Sequence, residues 1–178
     1  MTLPVVDADA FLLARRVGLI ERLIAGPIRE VLFVMTGRIA RNELNAVQRE
    51  VTKLEQSGRL VVETILARSE ESKRAKTLTR QGVDRGEAEA IAWIISQADP
   101  SGFAFVSCDN KARMTAGAEG VAAWDVLDLT GHWHRVGLVG LEQIDEMFRE
   151  WQDNPKSAWR PADFKDSAVQ TLATRGWL

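Results

Sequence analysis

Apolar positions fall into short blocks set off by charged or turn-forming residues. Leu3 to Val6 is an unbroken apolar run that stops at Asp7, the pattern of a short buried strand. From Phe11 to Ile24, residues Leu12, Leu13, Val17, Ile20, Leu23 and Ile24 recur at helical spacing, and Gly26-Pro27 ends the predicted helix. Val31 to Val34 reads as a second strand. Thr36 is placed to cap a helix through Ile39, Glu43, Leu44 and Val47 toward Leu54, with Gly58 closing it. Leu60 to Leu66 reads as strand or extended chain, and the charged, weakly periodic stretch from Arg68 to Arg80 as a loop or an exposed helix. Asp84 to Ser96 is alanine-rich, with Ala88, Ile91, Ala92 and Ile95 on one helical face. After Asp99-Pro100 and Gly102, Phe103 to Ser107 repeats the first motif, an apolar strand followed by an acid, Asp109. A short helix from Asn110 to Glu119 closes at Gly120, and Val121 to Val126 reads as a last strand.

Strands alternate with helices, and the strands are apolar throughout rather than at every second position. That pattern predicts an α/β fold with a parallel sheet covered by helices on both faces. Beyond Leu127 the pattern turns helical, first around His132 and then from Leu141 to Trp151, before a polar and aromatic tail with Pro155 and Pro161. The expected organisation is a main domain over residues 1–127 and a helical, irregular C-terminal extension over 128–178 packed on it.

Composition narrows the function classes. With 178 residues of which 46% are hydrophobic, the chain can build one sizeable core. The formal charge of −2, from 23 basic and 25 acidic residues, neither announces nor excludes a nucleic-acid partner. The single cysteine, Cys108, forms no internal disulfide and leaves no thiolate set for zinc. No apolar run reaches the roughly 18 residues of a spanning helix, and an acid interrupts the N-terminus before a signal-like run develops. The expectation is a cytoplasmic protein without a membrane partner.

The acids carry the chemistry. Asp7 and Asp109 stand at strand ends, Glu43 follows the second strand, and Glu87 lies in the first turn of the alanine-rich helix. In an open parallel sheet, ligands gather at the carboxyl ends of the strands. Carboxylates crowded there oppose one another's ionisation, and a hard divalent cation removes the conflict. Each acid taken singly has a plainer reading, as a helix cap or a partner of the helix dipole. The functional reading rests on the set.

Four segments together resemble the PIN-domain family: VVDADAFL at residues 5–12, RIARNEL at 38–44, VDRGEAEAIAWI at 83–94 and FVSCDNKARMTAGAEGV at 105–121. The likeness covers residues 3–127, and the last two segments are its more specific part. It implies a three-layer α/β/α sandwich with a mainly parallel sheet. It also implies cleavage of RNA, usually single-stranded, with Mg²⁺ or Mn²⁺. In many relatives it brings a partner antitoxin and a homodimer. Carried over by position, Asp7, Glu43, Glu87 and Asp109 form the catalytic quartet. Asp7, Glu87 and Asp109 then hold metal, and Glu43 orients the attacking water. Asp9 departs from the small hydroxyl residue common at its position, and is read as a cap of the first helix in preference to an extra ligand. Glu89 is read as a supporting or surface acid.

Arg74, Lys76, Arg80 and Arg85, with Arg68 and Lys73, form a basic strip ahead of the acidic helix, and Lys111 and Arg113 follow Asp109. These are candidate RNA contacts; a solvated face is the plainer alternative. Arg38 and Arg41 are expected in surface pairs or beside Glu43. His132 and His134 are expected at the surface or an interface, Cys108 and Trp93 in packing, and Trp151, Trp159 and Trp177 in wedging the tail onto the body. Two other functions compete. Asp7-Ala8-Asp9 resembles the D-x-D motif of haloacid-dehalogenase-like phosphatases, although Ala10-Phe11 departs from the Gly-Thr type of residue that continues that motif. A PIN-like fold serving RNA binding or regulation without turnover is the non-enzymatic alternative.

Overall fold

Five strands make one all-parallel sheet in the order β3-β2-β1-β4-β5: β1 (Leu3–Val6), β2 (Phe33–Thr36), β3 (Leu60–Glu63), β4 (Phe103–Val106) and β5 (Ala122–Trp124). The computed structural model describes residues 2–26 and 30–178. The expected helix-breaking Pro27 lies outside the described residues.

The strand order fixes the layers. From β1 the chain steps outward to β2 and β3, then crosses back to β4 and steps the other way to β5. Right-handed crossovers put the helices of these two halves on opposite faces. The helix contacts agree. On one side α1 (Ala8–Arg16) packs on α2 (Leu19–Ala25), and α2 on α3 (Gln48–Gln56). On the other, α4 (Glu70–Arg80) packs on α5 (Arg85–Ser96), and α5 on α6 (Asn110–Ala118). Helices on both sides explain why the strands are apolar throughout.

The fully buried face of α5 is mostly small: Gly86, Ala88, Ala90 and Ala92, with Ile91 and Ile94. Small residues let this helix lie close to β1, β2 and β4, and burying each isoleucine contributes about 1.5–3 kcal/mol. The stretch from Arg68 to Arg80 is helical from Glu70, capped by the Ser69 hydroxyl accepting from the Ser72 amide at 3.2 Å.

Other expectations change. The single helix over 11–24 is two helices, because Gly18 takes φ +79°, a left-handed conformation that breaks the turn between Arg16 and Leu19. The second strand starts two residues later than expected, at Phe33. Thr36 ends that strand and caps nothing. After it, Ile39–Glu43 forms a π turn closed by the Leu44 amide on the Ile39 carbonyl at 3.1 Å, followed by a 3₁₀ turn over Asn45–Val47 before α3 begins. Wide turns of this kind cluster at functional sites.

Beyond the sheet run α7 (Val126–Arg135), α8 (Leu141–Met147), α9 (Arg149–Asp153) and α10 (Ala168–Thr174). The last lies in the tail expected to be irregular. Trp133 of α7 reaches the main core, 6.1 Å between ring centroids from Phe33, which in turn meets Phe11. Ile144, Phe148, Trp151, Phe164, Ala168 and Leu172 join that same core cluster. Among the described residues no helix is long and apolar enough to cross a membrane.

Candidate active site

The strand order reverses between β1 and β4, and the crevice beyond the carboxyl ends of such a pair is the general ligand position of open parallel sheets. Three residues stand level there. β1 and β4 pair Val6 with Val106, and the Asp7 amide donates to the Val106 carbonyl at 3.0 Å, so Asp7 is level with Ser107. β1 and β2 pair Val5 with Val34, which makes Thr36 level with Asp7 on the other side. Thr36, Asp7 and Ser107 are 1%, 2% and 0% exposed. The Thr36 hydroxyl oxygen is buried without a hydrogen-bond partner among the described residues.

Ser107 is the hub of the site. Its hydroxyl donates to Glu87 Oε1 at 3.1 Å and accepts from the Asp109 amide at 2.9 Å. Its own amide donates to the Trp124 carbonyl at 3.1 Å, and its carbonyl accepts from Arg113 Nη1 at 2.6 Å. Ser107 thus ties the Glu87 carboxylate to the backbone of Asp109 beside the level Asp7, and it carries no signal in the sequence beyond ending an apolar strand.

The electrostatics follow from this crowding. Burial pushes the Asp7 carboxyl up to about 8; Ser107 and the Ala10 amide pull against it, and the charges of Glu87 and Asp9 add to it. Glu87 is also raised, by burial first and then by Asp109 and Asp84, with the Ser107 hydroxyl opposing. Glu43 is raised by partial burial, lowered by Arg38, and raised again by Glu89, Asp84 and Asp9. The Cys108 thiol is pushed up by burial and by Asp7, which leaves it protonated and inert.

Gly86 brings Glu43 to this group. The Glu43 carboxylate lies over the first turn of α5, where a Cβ on residue 86 would be 2.6 Å from Oε2 and 2.8 Å from Cδ. The positive end of the helix dipole favours a carboxylate at that spot. The glycine of the G-E pair is thus a space requirement of the acid from the preceding motif.

Both strand-end aspartates also cap helices. Asp7 Oδ1 accepts from the Ala10 amide at 2.6 Å, and Asp109 Oδ1 from the amides of Lys111 at 2.6 Å and Ala112 at 3.1 Å. The cap of α1 is therefore Asp7 and not Asp9, which lies exposed in the first turn of that helix. The donor set is all oxygen: carboxylates linked through a hydroxyl, with an unpartnered hydroxyl alongside. That chemistry fits Mg²⁺ or Mn²⁺. Among the described residues no three histidine, cysteine or acidic side chains stand close enough to enclose an ion. Mg²⁺ ordinarily takes one or two carboxylates and keeps several waters, and Asp7 lies close enough to Glu87 to feel its charge.

The basic residues divide. Arg74 pairs with Glu119 at 3.2 Å, Lys73 with Glu70 at 2.5 Å and Arg85 with Glu89 at 3.3 Å. Arg113 is committed to the Ser107 carbonyl. Lys76, Arg80 and Lys111 have no ion pair among the described residues. Arg38 pairs with Glu89 at 3.0 Å and Arg41 with Glu55 at 2.6 Å. His132 is not at the surface: it is buried against Trp124, 5.1 Å between ring centroids, under Trp177. Trp93 packs edge-on against Phe103 at 5.1 Å, Trp151 is buried, and Trp159 stays exposed.

Compared with protein-family models, with curated proteins and with solved structures, the chain matches none.

Proposed function

We propose that this protein is a metal-dependent endoribonuclease of the PIN-domain kind, hydrolysing phosphodiester bonds in single-stranded RNA. The observation that carries the reading is Asp7: a buried carboxyl at the switch point, pushed up to about 8 and joined through Ser107 to a second raised acid, Glu87. An arrangement this costly to ionise is relieved by a hard cation, and enzymes concentrate such strained acids where they act.

In this reading Asp7 and Glu87 hold Mg²⁺ or Mn²⁺, and Asp109 flanks them across Ser107. The metal, when bound, makes a water more acidic and offsets charge on the phosphate under attack. Ser107 fixes the two acids relative to each other. Glu43, set over the start of α5 by Gly86, orients the attacking water. Partial burial raises its affinity for a proton, the direction that favours a carboxylate contacting water as a base. An antitoxin partner and self-association extend the same resemblance.

The test is incubation of mixed RNA with Mn²⁺, with and without chelator, for wild type and Asp7→Asn. Mn²⁺-stimulated cleavage that chelator and the substitution both abolish supports the reading. Undiminished cleavage by a folded Asp7→Asn protein removes Asp7 from the mechanism. A second reading, RNA binding without turnover, draws on the aspartates that already cap helices and on the lack of three clustered ligands among the described residues. Retention of RNA without cleavage in Mn²⁺ selects it. The phosphatase alternative has Asp9 inside helix α1, exposed, rather than on a loop beside Asp7.

A further inference from the structure

A groove of roughly 370 Å³ runs between α4 and the start of α5, lined by Lys76 and Arg80 on one side and by Arg85 and Glu89 on the other. Lys76 and Arg80 are exposed, one helical turn apart, and neither has an ion pair among the described residues. Glu89 is the single acid on the groove wall, and its Oε1 accepts from two arginines at once, Arg38 Nε at 3.0 Å and Arg85 Nε at 3.3 Å. Both arginines bond through Nε alone, and their terminal nitrogens make no other hydrogen bond among the described residues. The Glu89 side chain is only 14% exposed, while those of Arg38 and Arg85 are 25% and 66% exposed.

The groove adjoins the acid cup. The charges of Arg38 and Glu89 both act on Glu43, from opposite directions. The Glu43 carboxylate lies against Gly86, the residue next to Arg85 of the groove wall, so cup and groove share the first turn of α5. Among the described residues a strand in the groove meets three cations, Lys76, Arg80 and Arg85, and one carboxylate, Glu89, to which Arg38 is also bonded. A carboxylate shared by two guanidinium groups occupies the place a phosphate oxygen takes in an arginine fork.

We propose that the α4–α5 groove is the track for the sugar–phosphate backbone of single-stranded RNA entering the acid cup, with Glu89 as a built-in phosphate competitor. Lys76 and Arg80 are standing phosphate contacts. Arg38 and Arg85 are held in position by Glu89 and pass to the phosphate when it displaces that carboxylate. The inference rests on the ribonuclease reading for the identity of the polymer, but binding in the groove is separable from cleavage.

The experiment is anisotropy of a short fluorescein-labelled oligouridylate in chelator, titrated against salt, for the full chain. Lys76→Ala with Arg80→Ala weakens binding and lowers the slope of log affinity on log salt by about 1.4, at about 0.7 for each phosphate no longer neutralised on a single strand. Glu89→Gln binds several-fold tighter than wild type. Glu70→Gln, an equal charge change at the exposed start of α4, shifts binding less than Glu89→Gln. These three results together establish the track. An unchanged slope in the double variant, no tighter binding by Glu89→Gln, an equal gain from Glu70→Gln, or no RNA binding by wild type each overturns it. Mn²⁺-stimulated cleavage is read separately. Cleavage with an unchanged slope sinks the groove alone, and the expected binding results without cleavage sink the nuclease reading alone.

Discussion

Gly86 and Glu43 occupy the same space: the glycine's missing Cβ is where the Glu43 carboxylate sits, 2.6 Å from Oε2. The obstructed atoms are the far end of a flexible side chain, so Gly86→Ala is expected to swing Glu43 away rather than unfold the protein. Alanine also favours the helix by about 1 kcal/mol, and the net stability change is expected within roughly 1 kcal/mol. Cleavage is expected to fall as far as it does in Glu43→Gln. The double variant should be no worse than either single one, since both remove the same contact. Additive losses of activity would separate the two residues.

Asp7 sets a pH dependence of stability. Its ordinary value is 3.8 and its value in the fold is about 8. Across that window the folded protein keeps a proton that the unfolded chain has released, so metal-free stability falls as pH rises from 3.8 to about 8. Below the window both states are protonated and the penalty vanishes; above it both are ionised and the penalty is complete. Asp7→Asn keeps an acceptor for the Ala10 amide and removes the charge. The variant is expected to exceed wild type at pH 8 by about 2 kcal/mol, roughly a third of what the full shift implies because buried sites relax and admit water. Mn²⁺ at a hundred times its Kd should add about 2.7 kcal/mol to wild type. For a chain of this length that is a Tm rise of roughly 5–11 °C, absent from Asp7→Asn. Melting curves at pH 5 and pH 8, with chelator and with Mn²⁺, check both signs.

The elements legible in the sequence are those whose signal is local. β1 and β4 are unbroken apolar runs with an acid close behind, and α5 carries a clean apolar stripe. The split between α1 and α2 is hidden because apolar spacing continues across Gly18, whose left-handed φ is a property of the fold. Thr36 looks like a cap because hydroxyl residues favour caps, yet sheet pairing claims it first. The acids are visible as types at strand and helix ends. Ser107 and the Gly86–Glu43 fit are not, since they depend on which strand neighbours which. The burial of His132 depends on the tail folding back, a contact between segments more than forty residues apart.

Ser107→Ala removes the donor to Glu87 and the acceptor of the Asp109 amide in a fully buried place. The expected cost is about 1–3 kcal/mol for groups left unpaired. The hydroxyl favours the ionised forms of Asp7 and Glu87, so its loss raises both further. The acid limb of the pH profile of kcat/KM should move to higher pH. Destabilisation without any movement of that limb would leave Ser107 a packing residue only.

Arg175 is the clasp of the C-terminal tail. Its Nη1 donates to Asp125 Oδ2 at 2.9 Å and to Asp128 Oδ1 at 3.0 Å, and its Nη2 to Asp163 Oδ1 at 2.6 Å. Trp177 Nε1 donates to the same Asp128 oxygen at 2.8 Å, and the indole lies against Gly131, where a Cβ would be 2.7 Å from its Cγ. Asp125 caps α7 from a buried position, and burial raises its carboxyl against the pull of Arg175. Arg175→Met strands three carboxylates, two of them little exposed, and the expected loss is about 2–4 kcal/mol, below the top of the range for buried pairs because the network reaches solvent at Asp163. The sign with pH follows from Asp125. Without the guanidinium its carboxyl rises further, so the loss should be larger at pH 7 than at pH 4, where protonation relieves it. Adding Asp125→Asn to Arg175→Met should recover part of the stability, because the cap acceptor stays while the stranded charge goes. Denaturant melts of the single and double variants at both pH values measure this. A double variant less stable than Arg175→Met would show that Asp125 is held by its backbone contacts and not by the clasp.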